Sequence, residues 1–106
     1  MPETYKSFGT ILGTTAATSI YAGVTGTALV NAVNVSNVNT TASTTITVEM
    51  VKGSTAFSII SNVYINPGTS LQVLDAPLVL ESGNTLRATS GLTGYFHTLV
   101  SVLEIT

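Results

Sequence analysis

The chain has no cysteine, no tryptophan, one histidine and three basic residues among its 106. Without cysteine there are no disulfides and no thiolate metal ligands, and redox compartment leaves no mark on the sequence. The basic residues, Lys6, Lys52 and Arg87, are scattered along the chain. Neutralising phosphates takes clustered Lys and Arg, so nucleic acid is not an expected partner. Anionic membrane surfaces are set aside on the same ground. No stretch approaches the ~18 apolar residues of a membrane span. The opening Met1-Pro2-Glu3-Thr4-Tyr5-Lys6 lacks the basic region and apolar core of a secretory signal.

Chemistry is equally thin. His97 has no second histidine to complete an open zinc site and no cysteine to activate. Between Phe96 and Leu99 it reads as a packed or interfacial side chain. The acids are Glu3, Glu49, Asp75, Glu81 and Glu104. A glycosidase needs two carboxylates across a cleft, and nothing in the spacing joins any two of these. Asp75 and Glu81 flank one hairpin, but calcium prefers more carboxylates than that. Tyr5, Tyr21, Tyr64 and Tyr95 are too dispersed for the aromatic platform of a sugar-binding sandwich. The expectation is a non-enzymatic chain with no catalytic, cofactor-binding or metal residues and no cofactor.

What is present is apolar and hydroxyl-rich. Charged residues make up 8% of the chain against about 25% in an ordinary soluble domain, so the polar surface must come from Thr, Ser and Asn. Those residues suit strands and turns and disfavour helices, which points to an all-β fold. A neutral coat suits a protein packed against other copies or a larger assembly, since free-standing small domains carry interspersed charge. The length fits one domain over 1–106, burying roughly two thirds of its unfolded surface.

Residues 1–18 carry Tyr5, Phe8, Ile11 and Leu12 among Gly9, Gly13 and several threonines, which oppose a helix. They read either as an extended N-terminal arm that docks on a partner through those four residues, or as an edge strand. A short strand is expected over 19–24. Over 27–38 a strand places Leu29, Asn31, Val33 and Val35 on one face and Ala28, Val30, Ala32, Asn34 and Ser36 on the other. Thr44–Lys52 alternates in period two, with Ile46, Val48 and Met50 together. It should pair with residues 56–65 through the loop Gly53-Ser54-Thr55, with Phe57, Ile59, Ser61, Val63 and Ile65 sharing a face.

Asn66-Pro67-Gly68-Thr69 fits a type II turn, and Pro77 marks a strand edge, a strand start or a bulge. The block 66–90 reads as one edge of a sandwich, its strand over 85–89 carrying Leu86 and Ala88 on one face and Thr85, Arg87 and Thr89 on the other. Lys52, Pro77 and Arg87 are placed to protect edges. After a turn at Gly91-Leu92-Thr93-Gly94, a final strand from Tyr95 to Ile105 is apolar on both faces, with Phe96, Thr98, Val100 and Val102 on one and Tyr95, His97, Leu99, Leu103 and Ile105 on the other. It is therefore central in a sheet or closes a subunit interface. The whole is an antiparallel β-sandwich of seven to eight short strands, jelly-roll or immunoglobulin-like.

Three stretches carry a resemblance: Ala28-Leu29-Val30-Asn31-Ala32-Val33-Asn34-Val35-Ser36-Asn37; Pro67-Gly68-Thr69-Ser70-Leu71; and Pro77-Leu78-Val79-Leu80-Glu81-Ser82-Gly83-Asn84-Thr85-Leu86. Together with the strand Thr44, Ile46 and Val48, this pattern resembles small β-sandwich virion proteins of tailed bacteriophages, a grouping that includes capsid decoration (cement) proteins. The resemblance implies a structural protein of the capsid exterior, made in the host cytoplasm. It implies as partners the major capsid protein, copies of itself, or both. A neck, tail or fibre-associated component and a carbohydrate- or host-surface-binding module are the alternatives.

Overall fold

The computed structural model describes residues 3–12, 16–22, 26–39, 43–91 and 96–105. Of the expected elements, Leu92, Thr93, Gly94 and Tyr95 lie outside them, as do Gly23 and Val24. The described chain forms nine strands and no helix: β1 (Glu3–Ile11), β2 (Thr18–Ala22), β3 (Thr27–Asn37), β4 (Thr44–Lys52), β5 (Thr55–Ile65), β6 (Ser70–Gln72), β7 (Leu78–Leu80), β8 (Thr85–Ser90) and β9 (Phe96–Ile105).

The pairing is nested. β1 pairs with β9, β2 with β8, β3 with β6 and β7, and β4 with β5, all antiparallel. Two further pairs, β3 with β9 and β4 with β8, roll this long hairpin into two sheets. Sheet I has the order β1-β9-β3-β6, with β7 also on β3, and sheet II has the order β2-β8-β4-β5. This is the jelly-roll order rather than the immunoglobulin one. The nine strands exceed the expected count because the outermost strand of sheet I is split into β6 and β7.

The core lies between the sheets. Ile46 and Val48 of β4 and Leu86 and Ala88 of β8 face Val30, Val33, Val35, Phe96, Val100 and Val102 across it. Fully burying a side chain of this size contributes about 1.5–3 kcal/mol. β9 alternates as expected: Phe96, Thr98, Val100 and Val102 are buried and His97, Leu99 and Ser101 exposed. It is central, flanked by β1 and β3.

Bulges overturn two of the expected face assignments. In β3 the register shifts between Val30 and Ala32, so Ala28 and Val30 are buried and then Val33, Val35 and Asn37. Asn31 is the extra residue, and an extra residue inverts every side chain after it. The same kink coincides with the gap between β6 and β7. There Val33 N–H donates to Gln72 Oε1 at 2.9 Å, and Val73 N–H donates to the Val33 carbonyl at 2.8 Å. A side chain thus satisfies a backbone donor that the broken neighbour leaves open. In β5 two shifts put Val63, Ile60 and Phe57 opposite Ile46, Val48 and Met50, so the single face drawn through Phe57, Ile59 and Ser61 does not exist. Asn62 sits in the bulge at φ 50, and its N–H donates to Thr47 Oγ1 at 3.0 Å.

The β4–β5 loop holds two residues, not three. Gly53 at φ 62 takes the first position and Thr55 already pairs with Lys52, the glycine-first pattern of a type II′ turn. The turn at Asn66 closes as expected, with Gly68 at φ 72 and Thr69 N–H on the Asn66 carbonyl at 3.3 Å. The block 66–90 is not one edge: β6 and β7 border sheet I, whereas β8 is interior to sheet II. Arg87 therefore protects no edge; it pairs with Glu49 of the neighbouring strand at 2.9 Å. Pro77 does precede an edge strand, where its missing N–H costs no ladder bond.

Candidate functional site

Residues 3–11 are an edge strand, not a detached arm. β1 pairs with β9 along its whole length, from Glu3 opposite Ile105 to Ile11 opposite His97, without a register shift. The four residues read as a docking set divide by face. Leu12 is fully buried, its N–H on the Phe96 carbonyl at 2.9 Å. Phe8 packs against the Tyr21 ring, centroids 5.1 Å apart. Tyr5 and Ile11 stand on the outer face of sheet I, 78% and 65% exposed. The alternation of a paired strand separates them, as no arm would.

That outer face is apolar at both ends. At one end the register aligns Tyr5, Leu103, Leu29 and Val79 straight across β1, β9, β3 and β7. At the other, Ile11, Leu99 and Val38 surround a shallow depression of about 480 Å³ that Gly9 and His97 also line. Between the ends lie Ser7, Ser101 and Ala32. The outer positions of β1 from Tyr5 to Ile11, and those of β9, β3 and β6 beside them, include no Asp, Glu, Lys or Arg. Sheet II differs. Its outer face carries Thr85, Thr89, Thr45, Thr47 and Ser58 around the Arg87–Glu49 pair, with exposed Tyr64 opposite Thr45 and Val51 opposite Ala56.

Six of the charged side chains form ion pairs. Glu104, 6% exposed, receives Lys6 Nζ at 2.7 Å on Oε1 and the Tyr21 hydroxyl at 2.7 Å on Oε2. The three side chains come from β9, β1 and β2 and tie the two sheets together at one margin. Lys6, then the Tyr21 hydroxyl, holds the Glu104 carboxyl below its ordinary value, against burial. Burial first, and then Glu104, pushes the Tyr21 hydroxyl above its ordinary value of 10. No pattern marked Glu104 as internal; its place two residues after Val102, in step with Phe96, Thr98 and Val100, was the available signal. Lys52 meets Glu81 at 3.1 Å, so Glu81 is engaged with a lysine rather than with Asp75. Among the described residues no three His, Asp or Glu side chains gather as a metal site would need. His97 is exposed, opposite Ile11 and Ser36.

Buried Asn37 was also missed. Its Nδ2 donates to the Ile65 carbonyl at 2.9 Å, and its Oδ1 accepts from Asn39 N–H at 3.0 Å. It fastens the end of β3 to the end of β5 across the sheets. Among the described residues the tyrosines make no common platform: Tyr21 is buried, and Tyr5 and Tyr64 stand on opposite sheets. Compared with protein-family models and with curated proteins, the chain matches none.

Proposed function

We propose that this chain is a non-enzymatic structural component of a phage virion, a capsid decoration protein. The outer face of sheet I would lie on the capsid and bridge neighbouring subunits. The observation that carries this reading is the contrast between the two outer faces: sheet I presents apolar rows without formal charge, sheet II a hydroxyl-rich coat. The two apolar ends of this face, separated by Ser7, Ser101 and Ala32, are the surface such a contact would use. Burying it would act additively over many copies, at about 25 cal/mol per Å² of apolar surface removed from water. The jelly-roll order, which recurs in capsid and lectin domains, is compatible with the role and does not specify it. The dispersed tyrosines weigh against the carbohydrate-binding alternative.

The test is to add the protein to undecorated capsids of the source virus and to count its copies in purified virions by quantitative mass spectrometry. Binding that raises capsid melting temperature, with abundance comparable to the major capsid protein, supports the reading. A few copies per particle would move the chain to the neck, tail or fibre. Absence from the particle would overturn the virion reading altogether.

A further inference from the structure

The four sheet margins are not alike. β2 is bulged between Ser19 and Tyr21, β5 is bulged twice and holds Asn62 at positive φ, and the β6–β7 margin is broken, with Pro77 in the gap. Such interruptions keep edge strands from pairing with another chain. β1 has none: nine residues, no proline, no register shift.

Its free backbone groups can be assigned. Leu12 N–H donates to Phe96, so Thr10, Phe8, Lys6 and Thr4, in alternation with it, turn their N–H and C=O towards β9. Glu3, Tyr5, Ser7, Gly9 and Ile11 turn theirs outwards. This set is symmetric about Ser7. The geometry points to a homodimer in which β1 pairs antiparallel with β1 of a second copy, Ser7 opposite Ser7 on the two-fold axis.

In that register every outward-turned residue meets another outward-turned residue: Glu3 meets Ile11, and Tyr5 meets Gly9. The ladder would supply about ten main-chain hydrogen bonds. Side chains fit the same register. Tyr5 projects from the outer face, and opposite it stands Gly9, whose missing side chain leaves Leu99 3.5 Å from where a Cβ would be. Each copy thus offers a tyrosine and a socket bordered by Gly9, Ile11 and Leu99, the self-complementarity a two-fold interface requires. On the inner side Lys6 falls opposite Phe8, a cation–aromatic pair rather than a clash of like charges. Shifting the register by one residue would set outward groups against inward ones. The outcome is one continuous sheet whose outer face doubles that of sheet I. This inference does not depend on the virion reading.

The test is sedimentation mass of the full chain together with single-cysteine variants, which the cysteine-free sequence makes clean. The copies of residue 7 would have Cα atoms about 5.5 Å apart, within disulfide range, whereas those of residue 11 would be roughly 26 Å apart. The expected results are a dimeric mass, rapid oxidative cross-linking of Ser7→Cys, none for Ile11→Cys alone, and cross-linking when Ile11→Cys is mixed with Glu3→Cys. Ser7→Pro, whose lost N–H faces away from β9, should sediment as a folded monomer because the ring removes the donor on the axis and blocks strand pairing there. A monomeric mass for the unmodified chain overturns the proposal. So does a dimer that survives Ser7→Pro, or one that cross-links at Ile11→Cys as readily as at Ser7→Cys.

Discussion

The Tyr21 hydroxyl donates to Glu104 Oε2 at 2.7 Å, joining β2 of sheet II to β9 of sheet I in a buried margin. Lys6 holds the other carboxylate oxygen but is half exposed, so solvent screens its share. Tyr21→Phe should therefore cost about 1.5–3 kcal/mol, the range for a hydrogen bond to a charged group. Chemical denaturation of the two proteins in parallel measures it.

The same pair sets a pH window. Glu104 is held below its ordinary value of 4.5, so its stabilisation is present above that value and is lost as pH falls through the lower folded-state value. Tyr21 is held above 10, so its contribution is present below pH 10 and is lost as pH rises beyond it. Melting temperature followed from neutral pH downwards should fall less steeply below pH 4.5 in Glu104→Gln than in the unmodified protein. Superimposable acid limbs would refute the assignment.

Gly91 admits no side chain. A Cβ there would lie 2.5 Å from Thr44 Oγ1 and 2.9 Å from Thr45 Oγ1. Thr44 is buried and β-branched, so its hydroxyl cannot swing aside without strain. Gly91→Ala should destabilise by about 1–3 kcal/mol although it adds one methyl group. The midpoint of urea unfolding reads the effect.

Asn37→Ala should cost about 1–3 kcal/mol, because it removes the donor to the buried Ile65 carbonyl. Asn62 tests a different cause. Asn62→Gly preserves its positive φ and should be nearly neutral, whereas Asn62→Val should cost about 1–2 kcal/mol through left-handed strain. A protein insensitive to both changes would not have this β5 bulge.

For the surface, Leu99→Lys and Val79→Lys lie on exposed positions of sheet I and touch no core contact that the fold needs. Thermal stability should stay within about 0.5 kcal/mol of the parent. Binding to undecorated capsids should fall at least tenfold for the double variant if that face is the docking surface. Equivalent lysines at Thr85 and Thr89 of sheet II should leave binding unchanged.

Strands with clean alternation were legible from sequence. β4, β8 and β9 follow period two because each keeps an unbroken ladder on at least one side, and their inward faces came out as expected. β3 and β5 failed at the same kind of place. A bulge inserts one residue with no compositional mark, and Asn31 and Asn62 look like ordinary polar positions until the partner strand is known. The split of β6 from β7 was hinted by Pro77, but their shared partner was not. The Lys6–Glu104–Tyr21 network was hidden for a related reason: its members are distant in sequence and meet only because the pairing is nested. Tyr5, Phe8, Ile11 and Leu12 were correctly singled out as apolar, yet only a paired strand reveals that two point inward and two outward.

The nested pairing also governs when the molecule can exist. β9 is made after the other eight described strands, and among the described residues it is the sole sheet partner of β1 and one of the partners of β3. A nascent chain emerging from the ribosome can close the β4–β5 hairpin, but sheet I has no centre until β9 has been made. Loop closure over nearly the whole chain makes such folding slow, and the apolar inner faces stay open meanwhile. Loss of β9 would thus yield an aggregating fragment rather than a smaller domain.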